Sequence, residues 1–131
     1  MRVLVTGGGG FLGVAVSKAL AARGDTAIAF DAFISPQLTA AAALTKNIVP
    51  VTGDIADMAN VCQVFQAHEP DVIIHCAAVV GGIASLSSPT NVFRVNVNGA
   101  INLYEAMRLY GLKRMIHVSS EETYGEFQMD V

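Results

Sequence analysis

Val3-Leu4-Val5-Thr6-Gly7-Gly8-Gly9-Gly10-Phe11-Leu12-Gly13 is the stretch on which the fold turns. A short β-branched run enters a glycine-rich turn. A helical pattern leaves it, from Phe11 to Arg23, with Leu12, Ala15, Val16, Ala19 and Leu20 spaced for one face. A strand, a glycine turn and a helix start in that order form an anion site, because the first N–H groups of a helix lack partners and its dipole favours negative charge. The anion expected there is a dinucleotide pyrophosphate. The first glycine allows the tight turn, the next lets the backbone approach the phosphates, and Gly13 lets helix and strand pack closely. Two registers fit: Gly8, Gly10 and Gly13, or Gly7, Gly10 and Gly13. Spacing does not separate them, and the Thr6 prefix favours the second. The bland alternative is an ordinary glycine-rich turn, but the flanking strand and helix supply the context that the dinucleotide reading requires.

Outward from the turn, strands and helices alternate. Gly24-Asp25 stops the first helix, and Thr26 to Phe30 is a second strand closed by Asp31. Ser35-Pro36 opens a weak helix over Gln37 to Thr45. Ile48 to Val51 is a third strand, and Asp57 caps a helix from Met58 to His68, with Val61, Val64 and Phe65 inward. Glu69-Pro70-Asp71 breaks that helix, and Val72 to Cys76 is a fourth strand. Residues 79–88 read as a loop. Pro89 opens a long helix to Tyr110 with apolar positions on more than one face, and Arg114 to Val118 is a fifth strand. This order predicts an α/β, doubly wound parallel sheet of Rossmann type, strand order 3-2-1-4-5, filling residues 1–131 as one dinucleotide-binding domain.

The totals agree with that architecture. Of 131 residues, 53% are hydrophobic and 15% charged, which suits central strands buried on both faces. Eight basic against eleven acidic residues give a charge of −3 with no basic block, so no nucleic-acid or anionic-membrane partner is expected. No run approaches a membrane span. Cys62 and Cys76 have neither disulfide nor zinc spacing, so no metal site is expected, and buried free thiols in the cytoplasm are. His75 and His117 fall on strands and His68 at a helix end, where core or capping roles are expected. Met58, Met107, Met115 and Phe65 read as core.

Asp31 ends the second strand at the distance expected of a ribose-binding acid. It would accept from both adenosine-ribose hydroxyls and repel a 2′-phosphate, selecting NAD over NADP; the alternative is a turn residue. Asp54, after the third strand, can accept from the adenine amino group while Ile55 packs on the ring, or it can cap the following helix.

The chain resembles the extended short-chain dehydrogenase/reductase family, which includes NAD-dependent sugar-nucleotide epimerases and dehydratases. The pieces that carry the resemblance are TGGGGFLG at 6–13, Asp31, GDI at 53–55, PDVIIHCAA at 70–78, NVNGAINLYEA at 96–106 and VSSEETYG at 118–125. They occur in the family's order. The resemblance implies that Gly7, Gly10, Phe11, Leu12 and Gly13 lie along the pyrophosphate, that Asp31 holds the ribose, and that Asp54 and Ile55 flank adenine. Cys76, Ala77 and Ala78 would run beside the middle of the cofactor. Ser119 and Asn96 would lie near it as well; for Asn96 the alternative is a polar residue that fixes the helix in place. It also implies a nucleotide-sugar substrate and a homodimer formed through the 89–110 helix.

Ser120 matches the family's catalytic Ser/Thr, which would hydrogen-bond the reacting oxygen of the substrate. Glu121 and Glu122 resemble the acidic pair of family dehydratases, and adjacent carboxylates can divide acid and base roles; equally, both can simply solvate a loop. Gly81-Gly82-Ile83 resembles the glycine pair of the GDP-sugar epimerase-reductases, so the reaction stays open. Tyr124 is expected to pack beneath the active-site loop. The family's tyrosine base, in Tyr-x-x-x-Lys, has no match: Tyr104, Tyr110 and Tyr124 are followed four residues later by Arg108, Arg114 and Gln128. Two classes therefore remain. One is the N-terminal portion of an epimerase or dehydratase, inactive at this length and lacking the substrate lobe. The other is a stand-alone, non-catalytic dinucleotide-binding module. A fragment whose exposed edge strand pairs with another chain is a third, structural, option.

Overall fold

A computed structural model describes residues 1–125, apart from the side chain of Ala84. Five parallel strands form one sheet in the order β3-β2-β1-β4-β5. They are β1 (Arg2–Thr6), β2 (Thr26–Asp31), β3 (Ile48–Thr52), β4 (Val72–His75) and β5 (Met115–His117). Between them run α1 (Phe11–Ala22), α2 (Pro36–Ala43), α3 (Met58–His68) and α4 (Gly82–Ser87). A long helix then begins as α5 (Pro89–Phe93) and passes through a π-helical turn (Arg94–Asn98) into α6 (Gly99–Tyr110). A 3₁₀ turn, Glu121–Tyr124, follows β5.

The central strands alternate between two apolar layers, as double burial requires. Leu4, Ile28, Phe30 and Ile73 pack with Val61, Val64 and Phe65 of α3 and Leu103 and Ala106 of α6. On the other face Val3, Val5 and Ala27 meet Leu20 of α1, and Ala29 and Ile48 meet Val14, Leu38 and Ala41. Phe65 is core as expected, and Met58, Met107 and Met115 pack against the same cluster. Asp57 caps α3 by accepting from Ala59 N–H, and Glu69 ends it in the left-handed region at φ 43°, where the Glu69-Pro70 break was expected.

Four details differ from the sequence reading. The buried face of α1 is Gly13, Val14, Ser17 and Leu20, while Leu12, Ala15 and Ala19 are exposed. In an alanine-rich helix apolarity marks a face poorly, and small Gly13 and Ser17, four apart, let α1 lie close on the sheet. Residues 82–87 form α4 rather than loop. Its Ile83 and Leu86 are 86% and 87% exposed, so no burial pattern marks it in the sequence. The cysteines are free but only half-buried. His117 is exposed, because β5 is the sheet edge. No helix among the described residues is long and apolar enough to cross a membrane.

Candidate functional site

Strand register brings the candidate residues to one edge of the sheet. Val51, Phe30, Thr6, His75 and His117 are neighbours in one row across all five strands. The residues next in chain after that row are Thr52, Asp31, Gly7, Cys76 and Val118. Gly7, Asp31 and Cys76 therefore leave the C-terminal edge side by side, with Asp54 and Ser119–Ser120 a step or two beyond. Open parallel sheets bind ligands at this edge, where strand order reverses.

The glycine turn is built for close approach. Gly7 has φ +68°, and a Cβ on it would lie 2.7 Å from Ala77 N. Gly10 N–H donates to Gly7 O at 3.0 Å, which closes the turn. A Cβ on Gly8 would likewise lie 2.7 Å from Ala29 C, so the glycines of both registers are held in close contact. A Cβ on Gly13 would sit 2.0 Å from Gly7 O. Gly10 is the N-cap of α1, with no side-chain cap. The N–H groups of Phe11, Leu12 and Gly13 are thus the helix's first-turn donors. Phe11 is 97% exposed and contributes backbone rather than packing.

Asp31 faces this turn. Its Oδ2 accepts from Gly9 N–H at 2.9 Å and its Oδ1 from Phe33 N–H at 3.0 Å. The carboxylate is braced on both oxygens and half-exposed, with lone pairs remaining for hydroxyl donors.

A cleft of about 260 Å³ lies between Gly7, the end of β3 and the long helix. Phe30, Ala32, Gly53, Asp54, Ile55, Ala77, Ala78, Val79, Asn91, Arg94 and Val95 complete its walls. Asp54 Oδ1 accepts from Ala56 N–H at 2.9 Å, and Oδ2 accepts from Arg94 Nη1–H at 2.7 Å. Partial burial pushes the Asp54 carboxyl up, but the Arg94 guanidinium and the Ala56 N–H outweigh it and hold the group below its ordinary value. Ile55 borders the cleft but is only 4% exposed, with its side chain in the core against Gly99. A larger hollow of about 450 Å³ lies on the far side of the turn, beside Phe11, Lys18 and Gln37. It receives neither Asp31 nor Asp54.

Asn96, in the π-helical turn, fixes the wall that carries Ala77 and Ala78. Its Oδ1 accepts from Val79 N–H at 2.8 Å, and its Nδ2–H donates to Val79 O at 2.9 Å. The structure thus realises the positioning alternative for Asn96. Replacing it by Ala is expected to cost about 2 kcal/mol, since each bond contributes ~1 kcal/mol. A urea midpoint unchanged in Asn96→Ala rules this out.

Beneath Gly7, Thr6 Oγ1 bonds His75 Nδ1 at 2.6 Å and accepts from Ala77 N–H at 3.4 Å. His75 is 3% exposed, and its ring meets His117 edge-on at 4.7 Å. Burial, then the neighbouring His117, lowers the His75 pKa to about 4. His75 is therefore neutral, with one ring nitrogen bearing a proton, and Nδ1 is the nitrogen bonded to the Thr6 hydroxyl. Burial also raises the Cys76 thiol, which makes it a poor nucleophile.

Ser119 and Ser120 follow β5 and are exposed. Ser120 Oγ accepts from Glu122 N–H at 3.2 Å, capping the 3₁₀ turn. Its own hydroxyl proton stays available to an outside acceptor. Glu121 and Glu122 are exposed in that turn's first residues. Tyr124 is 82% exposed and does not pack beneath the loop as expected, because among the described residues nothing lies over the β5 edge. Among these residues no cluster of His, Cys, Asp or Glu could hold a metal.

Arg94 escaped the sequence reading. Its signal was a lone cation flanked by Phe93 and Val95. The Thr6–His75 pair was also missed, since nothing in the sequence links residues 69 apart.

The sequence profile of the NAD dependent epimerase/dehydratase family matches residues 3–130. UDP-glucose 4-epimerase 3 of Oryza sativa subsp. japonica is 33% identical over 95% of this chain and 35% of its own length. A probable dTDP-glucose 4,6-dehydratase of Sinorhizobium fredii is 32% identical over 95% of this chain and 39% of its own. Among solved structures, UDP-glucose 4-epimerase from Bifidobacterium longum, in complex with NAD+ and UDP, superposes with a TM-score of 0.88. It is 27% identical and covers 100% of this chain, which spans 41% of it. The chain thus spans well under half the length of these relatives. A profile matched almost end to end, on a sheet whose C-terminal edge carries the glycine turn and Asp31, establishes that this chain belongs to the NAD dependent epimerase/dehydratase family.

Proposed function

We propose that this chain is the NAD-binding portion of a nucleotide-sugar epimerase or dehydratase. The observation that carries the reading is the uncapped start of α1 with Asp31 braced beside it. The first-turn N–H groups of α1 suit a pyrophosphate. Gly7 and Gly13 pack backbone against backbone where a Cβ would clash, which holds the turn tight at the helix start. The Asp31 carboxylate suits a diol and would repel a 2′-phosphate, which favours NAD over NADP. Bound NAD would supply a reversible hydride acceptor. Ser120 would donate its hydroxyl proton to the substrate's reacting oxygen and orient it, while Glu121 and Glu122 stand beside it as acid and base. The relatives include both an epimerase and a dehydratase, so the substrate class is a nucleotide sugar and both reactions are retained.

The long helix supports a homodimer. Ala100, Leu103 and Ala106 are buried against the sheet, while Phe93, Val97, Ile101 and Tyr104 form an exposed stripe at helical spacing. A second copy of the same stripe is the proposed occupant. Free Cys62 and Cys76 fit a reducing, cytoplasmic setting.

Titration with NAD tests the cofactor site. Asp31→Ala is expected to weaken NAD by about tenfold or more, the worth of a charge-assisted hydrogen bond, and to narrow the preference over NADP. Unchanged NAD affinity in that variant removes the ribose assignment.

A further inference from the structure

Among the described residues, Arg94 is the one cationic side chain lining the cleft between Gly7 and the long helix. It comes from the π-helical turn, which Asn96 ties to Val79 and Gly99 seats on Ile55. Its Nη1–H donates to Asp54 Oδ2 at 2.7 Å, and its Nη2–H donates to Asn91 Oδ1 at 3.1 Å. Guanidinium N–H bonds lie in the plane of the group. Both bonds therefore engage its edge, and the side chain is still 46% exposed. A planar cation held by its edge presents its faces for stacking. The rest of the cleft wall is small or apolar: Ile55, Ala77, Ala78, Val79 and Val95. A flat, electron-rich heterocycle meets both needs, apolar contact on its body and a cation on its face.

We propose that Arg94 is a specificity-determining residue that clamps the purine of the dinucleotide, with Asp54 and Asn91 holding its guanidinium at a fixed orientation. The inference rests on the dinucleotide reading above and deepens it. It also adds to the role of Asp54: one oxygen caps the Ala56 turn and the other holds the arginine, with lone pairs remaining for a donor on the purine. An exposed ion pair alone contributes little to stability. Three polar side chains gathered from beyond β3, from α5 and from the π-helical turn, and bonded together at one cleft, are better accounted for by a ligand lying against them.

Calorimetric titration with NAD and with AMP tests this on the wild type, Arg94→Ala and Arg94→Lys, with melting temperature recorded for each. Arg94→Ala is expected to weaken NAD and AMP by the same factor, about three- to tenfold for a partly exposed cation–π contact. Arg94→Lys keeps the charge but loses the flat face, and is expected to weaken both by a similar factor. A loss under threefold in Arg94→Ala, or wild-type affinity in Arg94→Lys, overturns the clamp. If the alanine variant does not fold, the lysine variant decides alone. A wild type that binds neither NAD nor AMP brings down the dinucleotide reading itself. A wild type that binds both, beside variants that match it, brings down only the clamp.

Discussion

Gly13→Ala is expected to lower the melting temperature by about 10 °C, on the order of 3 kcal/mol for an overpacked site in a domain of this size, and to abolish NAD binding. The added Cβ would lie 2.0 Å from Gly7 O, 2.7 Å from Gly7 C and 2.8 Å from Gly8 Cα. All three are backbone atoms, so no rotamer change relieves the clash. Nor can the turn retreat. Gly7 O accepts from Gly10 N–H, and Gly7 lies against Ala77 on its other side. Either α1 lifts from the sheet, pulling Val14 and Leu20 out of their layers, or the turn opens and its N–H groups lose their convergence. Gly82→Ala is the matched control. Its Cβ meets nothing within 4 Å and it starts a helix, so neutrality or a gain of about 0.5 kcal/mol is expected. Thermal melts of both variants decide the matter: equal melting temperatures would show that the close packing of α1 does not matter.

Lowering the pH from about 6.5 to 4 is expected to remove about 3 kcal/mol of stability through His75 alone. Its folded-state pKa is near 4, depressed from 6.5 by burial and then by His117. The unfolded chain therefore takes up the proton first. The contribution is complete above pH 6.5, falls as pH drops towards the folded value, and is gone below it. Protonation also makes both ring nitrogens donors, so the Thr6–His75 bond can then run only from the ring to the hydroxyl. The carboxylates act in a lower window. Asp25, held below its ordinary 3.8 by the Met1 amino group and Arg23, loses its contribution only at more acid pH. Urea midpoints measured across pH separate the two, and His75→Gln should flatten the decline between pH 6.5 and 4. A His75→Gln midpoint that declines as steeply as the wild type would assign that decline to other groups.

The fold was legible because its signals are local. Val3 to Gly13 encodes strand, turn and helix within one short stretch, and the repeat of that alternation implies a parallel doubly wound sheet. The strand order 3-2-1-4-5 agrees. Asp57 capping α3, and Val61, Val64 and Phe65 turning inward, follow from helical spacing and cap chemistry alone. What failed locally did so for physical reasons. Alanines carry too little side chain to mark a face, so the α1 face holds only in part: Leu20 and Val16 pack inward, while Leu12, Ala15 and Ala19 do not. α4 buries nothing that the sequence could advertise.

The candidate site divides in the same way. Gly7, Gly13 and Asp31 could be named from sequence because backbone sterics and charge demand those residue types at those places. The partner of each polar group could not. Arg94 reaches Asp54 across 40 residues, Asn96 reaches Val79 across 17, and Thr6 reaches His75 across 69. Such pairings depend on strand register and helix docking, which place side chains in space without leaving a periodic trace. Sequence alone thus settled the architecture, the glycine turn at the start of α1 and the acidic residue beside it. Only the folded sheet decided that His75 is buried and neutral, that Asn96 braces the cleft wall, and that Asp54 faces an arginine.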